Sequence, residues 1–295
     1  MLFGALEAGG TKMVCAIGNE KGEILERVSI PTETPEVTLP KLLAYFEGKG
    51  ILALGIGCFG PIDLNESSDT YGYITTTPKL PWVNCDICGY FREHLQIPVG
   101  FDTDVNGSLL GEATWGCLQD VKNAMYITIG TGIGAGVMTE GKLLHGMLHP
   151  ECGHMLMPVR SDDTYGGKCP YHGTCLEGLA AGPAIEARWG QKAETLYDRP
   201  EVWELEAHYL AVAVVNFIMI LSPQKIILGG GVMHKDGLMP MVRQKVKEQM
   251  AGYIRTKELE DLDSYLVLPS LDDNQGILGA LKLSMDRYEK EKTAC

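Results

Sequence analysis

Two copies of one pattern, a strand, a glycine-rich turn and a second strand, most constrain what this chain can fold into. The first copy places an apolar strand at residues 2–8 before a turn at 9–12, and the second places a strand at 124–129 before the glycines of 130–136. Glycine has no side chain, so its backbone N–H groups can approach a phosphate closely. Either turn alone could be an ordinary hairpin turn. As a pair, they predict two phosphate-binding hairpins that face each other across a cleft and open two α/β halves.

The second copy also satisfies part of a dinucleotide-binding fingerprint. Gly130, Gly132 and Ala135 have the required spacing, and Glu151 lies at about the distance expected of a ribose-binding acid. That fingerprint needs a helix after the glycines, whereas the sequence there predicts a strand. An oxidoreductase with a Rossmann NAD site therefore stays as an alternative, and it predicts NAD binding and a helix after Gly136.

Four residues of metal-binding type lie between positions 154 and 175. His154 is followed by Cys169, His172 and Cys175, and two residues separate each of these last three from the next. Two thiolates and two imidazoles form a ligand set that tetrahedral structural Zn²⁺ takes. The nine cysteines are an odd number and no secretory signal is evident, so we expect a reducing cytoplasm, and zinc rather than a disulfide.

Length and charge limit the classes of partner. The 295 residues are enough for two domains that each bury a core. Twenty-five basic and thirty-eight acidic side chains leave a net charge of −13, which repels a phosphate backbone and argues against nucleic acid as a partner. No apolar run looks long enough to span a bilayer, so we expect no membrane partner.

Two other strand ends carry candidate ligand-binding residues. Gly60 ends a buried strand at 51–59, and Asp102 and Asp104 stand between a strand at 97–101 and a helix. Ligands of open α/β sheets gather at the carboxyl ends of strands. The alternative for either aspartate is that it only caps the helix, which Asp does well.

A third glycine cluster, at residues 229–231, also follows a predicted strand. Because these glycines have no side chains, an adenine ring or a ribose could pack against their backbone. The alternative is a loop that needs three permissive turns. The composition of the cluster does not separate these two interpretations.

Seven motifs, taken in order, resemble the ROK family of sugar kinases (repressor, open reading frame, kinase), and within it the bacterial fructokinases. The resemblance covers nearly the whole chain. The motifs lie at residues 7–12, 57–63, 104–106, 130–136, 151–154, 169–177 and 228–231.

The resemblance implies an α/β fold of two domains, the actin-like ATPase fold of ribonuclease H-like type, with the ligand cleft between the domains. It places an N-terminal α/β domain at 1–115, completed by a C-terminal helix at about 276–295. The C-terminal α/β domain is expected at 116–275 and to carry the zinc loop. ROK repressors also carry an N-terminal helix-turn-helix, whereas this sequence begins on the first strand, so DNA binding is not expected.

The resemblance also implies ATP-dependent phosphorylation of a hexose, and in the fructokinase branch of D-fructose to fructose 6-phosphate. Asp104 matches the family's catalytic aspartate, which we expect to accept the proton of the attacking hydroxyl while Mg²⁺ accompanies ATP. A homodimer is a further expectation from the family. The implied sugar contacts are Gly60, Asn106, Glu151, His154 and Glu177, and the implied nucleotide contacts are Gly9, Gly10, Thr11, Lys12, Thr131, Gly132, Gly134, Pro183, Gly229, Gly230 and Gly231.

Two positions depart from the common family pattern. Glu7 stands where many ROK kinases have Asp, so it could meet Mg²⁺ directly or through water. His172 replaces one cysteine of the common zinc motif, and both changes resemble the fructokinase branch. Two further functions stay open, a mannokinase or glucokinase of the same family and a non-catalytic sugar sensor, although the presence of Asp104 argues against the sensor.

Overall fold

The computed structural model describes residues 1–294, which form two compact units. Unit 1 comprises Met1–Asp120, Leu143–Pro150 and the segment from Ser270 onward, and unit 2 comprises Val121–Lys142 and Glu151–Pro269. The predicted domain boundaries stay a prediction. Residues 143–150, which that prediction assigned to the C-terminal domain, pack with unit 1. Cys295, the last residue of the predicted C-terminal helix, lies outside the described residues.

Both units contain strands and helices. The strands are β1 (Leu2–Ala8), β2 (Lys12–Asn19), β3 (Ile24–Pro31), β4 (Leu54–Cys58), β5 (Tyr73–Ile74), β6 (Cys85–Asp86), β7 (Val99–Thr103), β8 (Ala124–Ile129), β9 (Ile133–Thr139), β10 (Lys142–Leu143), β11 (Lys225–Gly229) and β12 (Leu266–Val267). The α-helices are α1 (Pro35–Phe46), α2 (Ile87–Leu95), α3 (Asp104–Trp115), α4 (Leu176–Ala180), α5 (Gly182–Trp189), α6 (Pro200–Leu221), α7 (Leu238–Met250), α8 (Lys257–Glu260), α9 (Leu262–Tyr265) and α10 (Gln275–Ala294).

The two five-stranded sheets have the same strand order. The first is ordered β3-β2-β1-β4-β7 and the second β10-β9-β8-β11-β12. In both, the opening hairpin is antiparallel, whereas the fourth and fifth strands in chain order are parallel to the first. This order and these directions are those of a ribonuclease H-like sheet, as predicted. The glycines 130–136 lead into β9 and not into a helix, so the Rossmann alternative is wrong.

The sheet of unit 1 is covered on both faces, because successive side chains of a strand point to opposite sides. Leu6 and Ile56 face one core together with α1 and α2, whereas Phe3 and Val14 face a second core formed with α10. Helix α10 approaches the sheet so closely that a β-carbon on Gly55 would collide with its backbone. Such burial on both faces requires the nearly continuous apolar strands seen in the sequence.

Helix α6 overturns the expectation that no apolar run could span a bilayer. Its 22 residues satisfy the length and the composition of a membrane-spanning helix. However, 56% of its most apolar window is buried inside the protein, and α6 packs against α4 and α7 within unit 2. It therefore has the character of a core helix, whose apolar surface is covered by neighbouring helices.

Candidate active site and metal centre

The tip of the first hairpin is tethered and presents polar groups outward. Thr32 donates its backbone N–H to the Thr11 carbonyl oxygen at 3.0 Å and its hydroxyl to the Gly9 carbonyl oxygen at 2.7 Å. Gly10 packs directly against the side chain of Lys79. Thr11 and Lys12 are exposed, so a hydroxyl and an ammonium group are available to an anion at this turn.

Glu7 lies on β1 immediately before this tip. Burial raises the pKa of Glu7, while the positive charges of Arg27 and Lys12 oppose that rise. A β-carbon on Gly276 would lie 2.6 Å from the Glu7 carboxylate. Glycine at the start of α10 therefore leaves the room that the Glu7 side chain occupies. A buried carboxylate of this kind binds a cation readily, because the cation stabilises its ionised form.

Asp104 is the first residue of α3 and is half-buried. The hydroxyl of Thr103 caps this helix by accepting the N–H of Asn106 at 3.1 Å, so the alternative that Asp102 or Asp104 is the helix cap is wrong. One oxygen of Asp104 accepts the N–H of Val105 at 2.9 Å. A negative charge at a helix N-terminus is stabilised by the helix dipole, and a carboxylate is a group that can accept a proton.

Asp102 is only 4% exposed and differs sharply from its neighbour Asp104. Its Oδ1 accepts the N–H of Thr103 at 2.8 Å and the amide nitrogen of Asn106 at 2.7 Å. Its Oδ2 lies 2.8 Å from Nε2 of His145. The carboxylate therefore orients Asn106, and it joins a histidine that the sequence analysis did not single out.

Gly60 follows β4 in unit 1. It is half-buried, and its neighbour Phe59 donates a backbone hydrogen bond to the Ala8 carbonyl oxygen at 2.9 Å. The turn at Gly60 is thereby held next to the end of β1. Gly60 thus lies beyond the carboxyl end of a parallel strand, where ligands of open α/β sheets gather.

The four predicted metal ligands meet in unit 2. The ligand atoms of His154, Cys169, His172 and Cys175 all lie within 4.8 Å of one another. Nδ1 of His154 is 3.7 Å from Sγ of Cys169 and 3.6 Å from Sγ of Cys175, and Nδ1 of His172 is 3.7 Å from Sγ of Cys169. Both imidazoles therefore turn Nδ1 toward Sγ of Cys169.

These distances fit a tetrahedral zinc ion. Bonds of about 2.3 Å to sulfur and about 2.0 Å to nitrogen at tetrahedral angles separate S from N by about 3.5–3.6 Å. Burial raises the pKa of the Cys175 thiol to about 11, and a bound cation would reverse this shift by stabilising the thiolate. The eight cysteines among the described residues are free thiols, so these ligands form no disulfide.

Glu177 connects the ligand cluster to the second hairpin. Its Oε2 accepts the backbone N–H of Ile133 at 2.9 Å, and its Oε1 lies 3.9 Å from Nε2 of His154. A β-carbon on Gly132 would lie 2.8 Å from the same carboxylate, so glycine permits this close approach. The carboxylate of Glu177 therefore lies between the hairpin tip and His154, one of the predicted metal ligands.

Glu151 lies close to the same group of charges. Loss of hydration raises the pKa of Glu151, the positive charge of a protonated His154 would oppose this shift, and the negative charge of Glu177 adds to it. The residue is nevertheless exposed at the surface, so a ligand can reach its carboxylate. A carboxylate in this position can accept two hydroxyl hydrogens.

A cavity of about 540 Å³ opens beside the second hairpin in unit 2. Three of the predicted nucleotide contacts line it, namely Thr131, Pro183 and Gly231. Its wall also includes the N-terminus of α5 and the side chains of Lys192 and Tyr197, which no sequence motif indicated. Backbone amides, a cation and an aromatic ring suit a phosphate-bearing aromatic ligand.

The four other predicted nucleotide contacts of unit 2 do not line this cavity. Gly132 packs against Glu177, and Gly134 pairs with Thr128 inside the sheet. Gly229 packs against Tyr126. Gly230 has a φ of +88°, and its missing side chain leaves room for the backbone of Ile129. Because Gly230 alone of residues 229–231 has a positive φ, the alternative of three permissive turns is wrong.

Comparison with known proteins gives concordant matches over nearly the whole chain. The ROK family profile matches residues 3–287. A relative from Bacillus subtilis (strain 168) is 48% identical over 291 residues, which cover 98% of this chain and 97% of the relative. The fructokinase of Pediococcus pentosaceus is 45% identical over 284 residues, which cover 96% of this chain and 98% of that protein.

The fold matches as well. The crystal structure of ROK hexokinase from Thermus thermophilus has a TM-score of 0.80 with this structure at 24% sequence identity, over 98% of this chain and 100% of that chain. This likeness confirms the predicted actin-like ATPase fold. The family resemblance inferred from seven short motifs is likewise confirmed by the full-length matches. The chain therefore belongs to the ROK family.

Proposed function

We propose that this protein is an ATP-dependent fructokinase that converts D-fructose to fructose 6-phosphate. The observation that carries the proposal is the half-buried Asp104 at the start of α3, in a chain that aligns over nearly its whole length with a fructokinase. A mannokinase or a glucokinase would use the same chemistry on a different hexose. A non-catalytic sugar sensor would have no use for a carboxylate in this position.

Asp104 is the proposed general base. The oxygen of the sugar's primary hydroxyl attacks the γ-phosphorus in line, the bond to the ADP oxygen breaks, and the hydroxyl proton passes to the Asp104 carboxylate. Catalysis of phosphoryl transfer consists mainly of positioning and charge stabilisation, so a single oriented base is sufficient. Mg²⁺ bound with ATP would neutralise phosphate charge, and Glu7 would hold it directly or through water.

The proposed nucleotide site includes the cavity of unit 2. Backbone at Thr131 would meet phosphate oxygens, and Pro183 would border them at the start of α5, where the positive end of the helix favours negative charge. Gly231 leaves open space beside the cavity, which suits a flat ring or a ribose. The other proposed contacts are Gly9, Gly10, Thr11, Lys12, Gly132, Gly134, Gly229 and Gly230.

The proposed sugar contacts are polar groups held by hydrogen bonds. Asn106 is oriented by Asp102, and Glu177 by the backbone of Ile133. A site of oriented polar groups discriminates strongly against a sugar that lacks a matching hydroxyl, because the group then stays unpaired. Glu151, His154 and Gly60 complete the proposed set.

Structural zinc at His154, Cys169, His172 and Cys175 would stabilise this part of unit 2. With Nδ1 of His154 directed at the metal, its Nε2 stays available to Glu177 or to a sugar hydroxyl. Zinc would thus act on the sugar site through the orientation of His154 and Glu177.

The test is ADP release by the purified protein with ATP and Mg²⁺ against fructose, mannose, glucose and N-acetyl sugars. We expect turnover with fructose, and a fall in kcat of about 10²- to 10⁴-fold in Asp104→Asn with sugar binding preserved. An Asp104→Asn variant with near-normal turnover would remove the base assignment. Turnover of another hexose would keep the chemistry and change the substrate, and sugar binding without any turnover would support the sensor.

We also propose a cytoplasmic homodimer. The free thiols among the described residues suit a reducing compartment, and zinc-bound thiolates are stable there. Light scattering on the purified protein tests the assembly, and a mass of one 32.2 kDa chain would contradict it.

A further inference from the structure

His145 makes a specific contact from a segment that is otherwise open to solvent. Residues 145–148 are all exposed, and Met147 is 94% exposed. The His145 side chain is itself 42% exposed, yet its Nε2 lies 2.8 Å from the buried carboxylate of Asp102. Binding residues are common on surface loops that a rigid scaffold positions, so this ring is a candidate ligand contact.

The hydrogen bonds around Asp102 determine which nitrogen of His145 is free. An ionised carboxylate only accepts, so Nε2 of His145 must be the donor to Oδ2. Nδ1 of His145 makes no hydrogen bond with any residue that the structure describes. It can accept a hydrogen from a hydroxyl when the ring is neutral and can donate one when the ring is protonated.

Asn106 adds a second polar group that lacks a protein partner. Its amide nitrogen is 2.7 Å from Asp102 and 3.5 Å from Nε2 of His145, and its Oδ1 is buried without a hydrogen-bond partner among the described residues. Buried polar atoms are normally paired, and an orphan beside a half-exposed imidazole indicates a polar ligand or water. The hydrogen bond to Asp102 also raises the pKa of His145.

We propose that His145 selects the sugar: Asp102 fixes its ring through Nε2, and Nδ1 makes a hydrogen bond with one hexose hydroxyl beside Asn106. This inference rests on the proposed kinase function. It makes His145 a direct sugar contact, with Asp102 as the residue that positions it. The ligand recognised is a polyhydroxylated, uncharged sugar, because one imidazole nitrogen and one amide oxygen both suit hydroxyl groups.

The experiment is a double-mutant cycle in which one change is made in the protein and the other is the removal of one sugar hydroxyl. We would measure kcat/KM for wild type and His145→Ala with fructose and with a series of monodeoxyfructoses. We expect that removal of one particular hydroxyl lowers kcat/KM about tenfold in wild type and has little effect in His145→Ala, because their shared hydrogen bond is already lost. KM for ATP should not change. If every analogue loses the same factor in both proteins, His145 makes no direct sugar contact.

A second variant separates contact from positioning. The amide nitrogen of Gln occupies about the place of Nε2, so His145→Gln can keep the bond to Asp102 while it loses Nδ1. We expect His145→Gln to behave like His145→Ala in the analogue cycle. Full recovery of wild-type behaviour in His145→Gln would overturn the contact and leave His145 a purely structural role.

Met147→Ala is the matched control, since it lies in the same segment and is 94% exposed. It should retain wild-type kinetics, and a loss equal to that of His145→Ala would show that the segment and not the ring matters. If wild type turns over no hexose at all, the kinase proposal and this inference fail together. If wild type is active and the cycles are additive, this inference alone fails.

Discussion

At the scale of single residues, burial separates two aspartates that look equivalent in the sequence. Asp102 is buried and satisfied by three hydrogen bonds, whereas Asp104 is half-buried at the start of a helix. The first organises its neighbours, because it is buried and both of its oxygens already have hydrogen-bond partners. The second can be reached by a substrate, which is what a general base requires.

The pairing of His145 with Asp102 predicts a pH dependence of stability. The pKa of His145 is raised in the folded protein above its usual value of about 6.5, mainly by the hydrogen bond to Asp102. The stabilisation from this pair is therefore complete below about pH 6.5 and is lost as the pH rises through the folded-state pKa. Urea unfolding of wild type and His145→Gln from pH 5.5 to 9 should show a difference in stability that shrinks as the pH rises. A difference that grows with pH would contradict this assignment.

Gly230 predicts a residue-level effect on stability. Its φ of +88° disfavours a side chain, and a β-carbon there would lie 2.6 Å from the Ile129 nitrogen. We expect Gly230→Ala to lower the free energy of unfolding by about 2 kcal/mol, because the backbone must move or stay strained. Gly231→Ala is the control, since no atom lies within 4 Å of its β-carbon position. Equal unfolding midpoints in urea for the two variants would show that the strain is absent.

At the scale of elements, the start of α3 is held by a side chain that the sequence did not single out. Thr103 accepts the N–H of Asn106, and the helix that it begins carries both Asp104 and Asn106. The same cap therefore fixes the position of the proposed base and of a proposed sugar contact. Threonine serves because its short hydroxyl reaches back to the free N–H groups of the first turn.

Replacement of this cap tests its contribution. Thr103→Ala should lower the free energy of unfolding by about 1 kcal/mol, while Thr103→Ser should retain most of the stability because it keeps the hydroxyl. Denaturant unfolding of the three proteins measures this difference. Should the Ser variant be destabilised as much as the Ala variant, the methyl packing of Thr103 and not its hydroxyl would be the important feature.

Glu177 shows how one helix can support two functions. It is the second residue of α4, two residues after Cys175, and its carboxylate accepts the backbone N–H of Ile133 on β9. Glu177 thus connects Cys175, a proposed zinc ligand, with Ile133 next to the tip of the second hairpin. Loss of order in the ligand loop would therefore reach the second hairpin through the Glu177 side chain as well as through the close packing of Gly153 on Ile133.

At the scale of the whole molecule, the two units repeat one sheet design. Both sheets open with an antiparallel hairpin and add parallel strands on the same side in the same order. The loop that carries the proposed zinc ligands, residues 154–175, is part of unit 2 and precedes α4. This loop has little regular structure, so a metal that joins four of its residues would contribute much of its stability.

Metal removal is the corresponding prediction. Elemental analysis of the purified protein should find one zinc ion per chain, and a chelator should lower the unfolding temperature and the activity together. Cys169→Ser should lose the metal and unfold at a lower temperature. Cys85→Ser, a half-buried thiol of unit 1, should keep the metal. Equal zinc content in the two variants would contradict the proposed ligand set.

The sequence by itself determined the features that depend on neighbouring residues. Glycine-rich turns between apolar strands predicted the two hairpins, and the spacing of His154, Cys169, His172 and Cys175 predicted their cluster, which the structure brings together. Such local patterns are readable because turn conformation and ligand spacing are set within a few residues.

Only the tertiary structure decided which distant groups meet. His145 reaches Asp102 across 43 residues, and Glu177 reaches Ile133 across 44. Lys192 and Tyr197 line the cavity from a segment without any motif. These contacts depend on where the sheet places the ends of its strands, and no pattern of neighbouring residues records that placement. The sequence therefore identified the chemistry, and the packing of the strands determined which side chains act together.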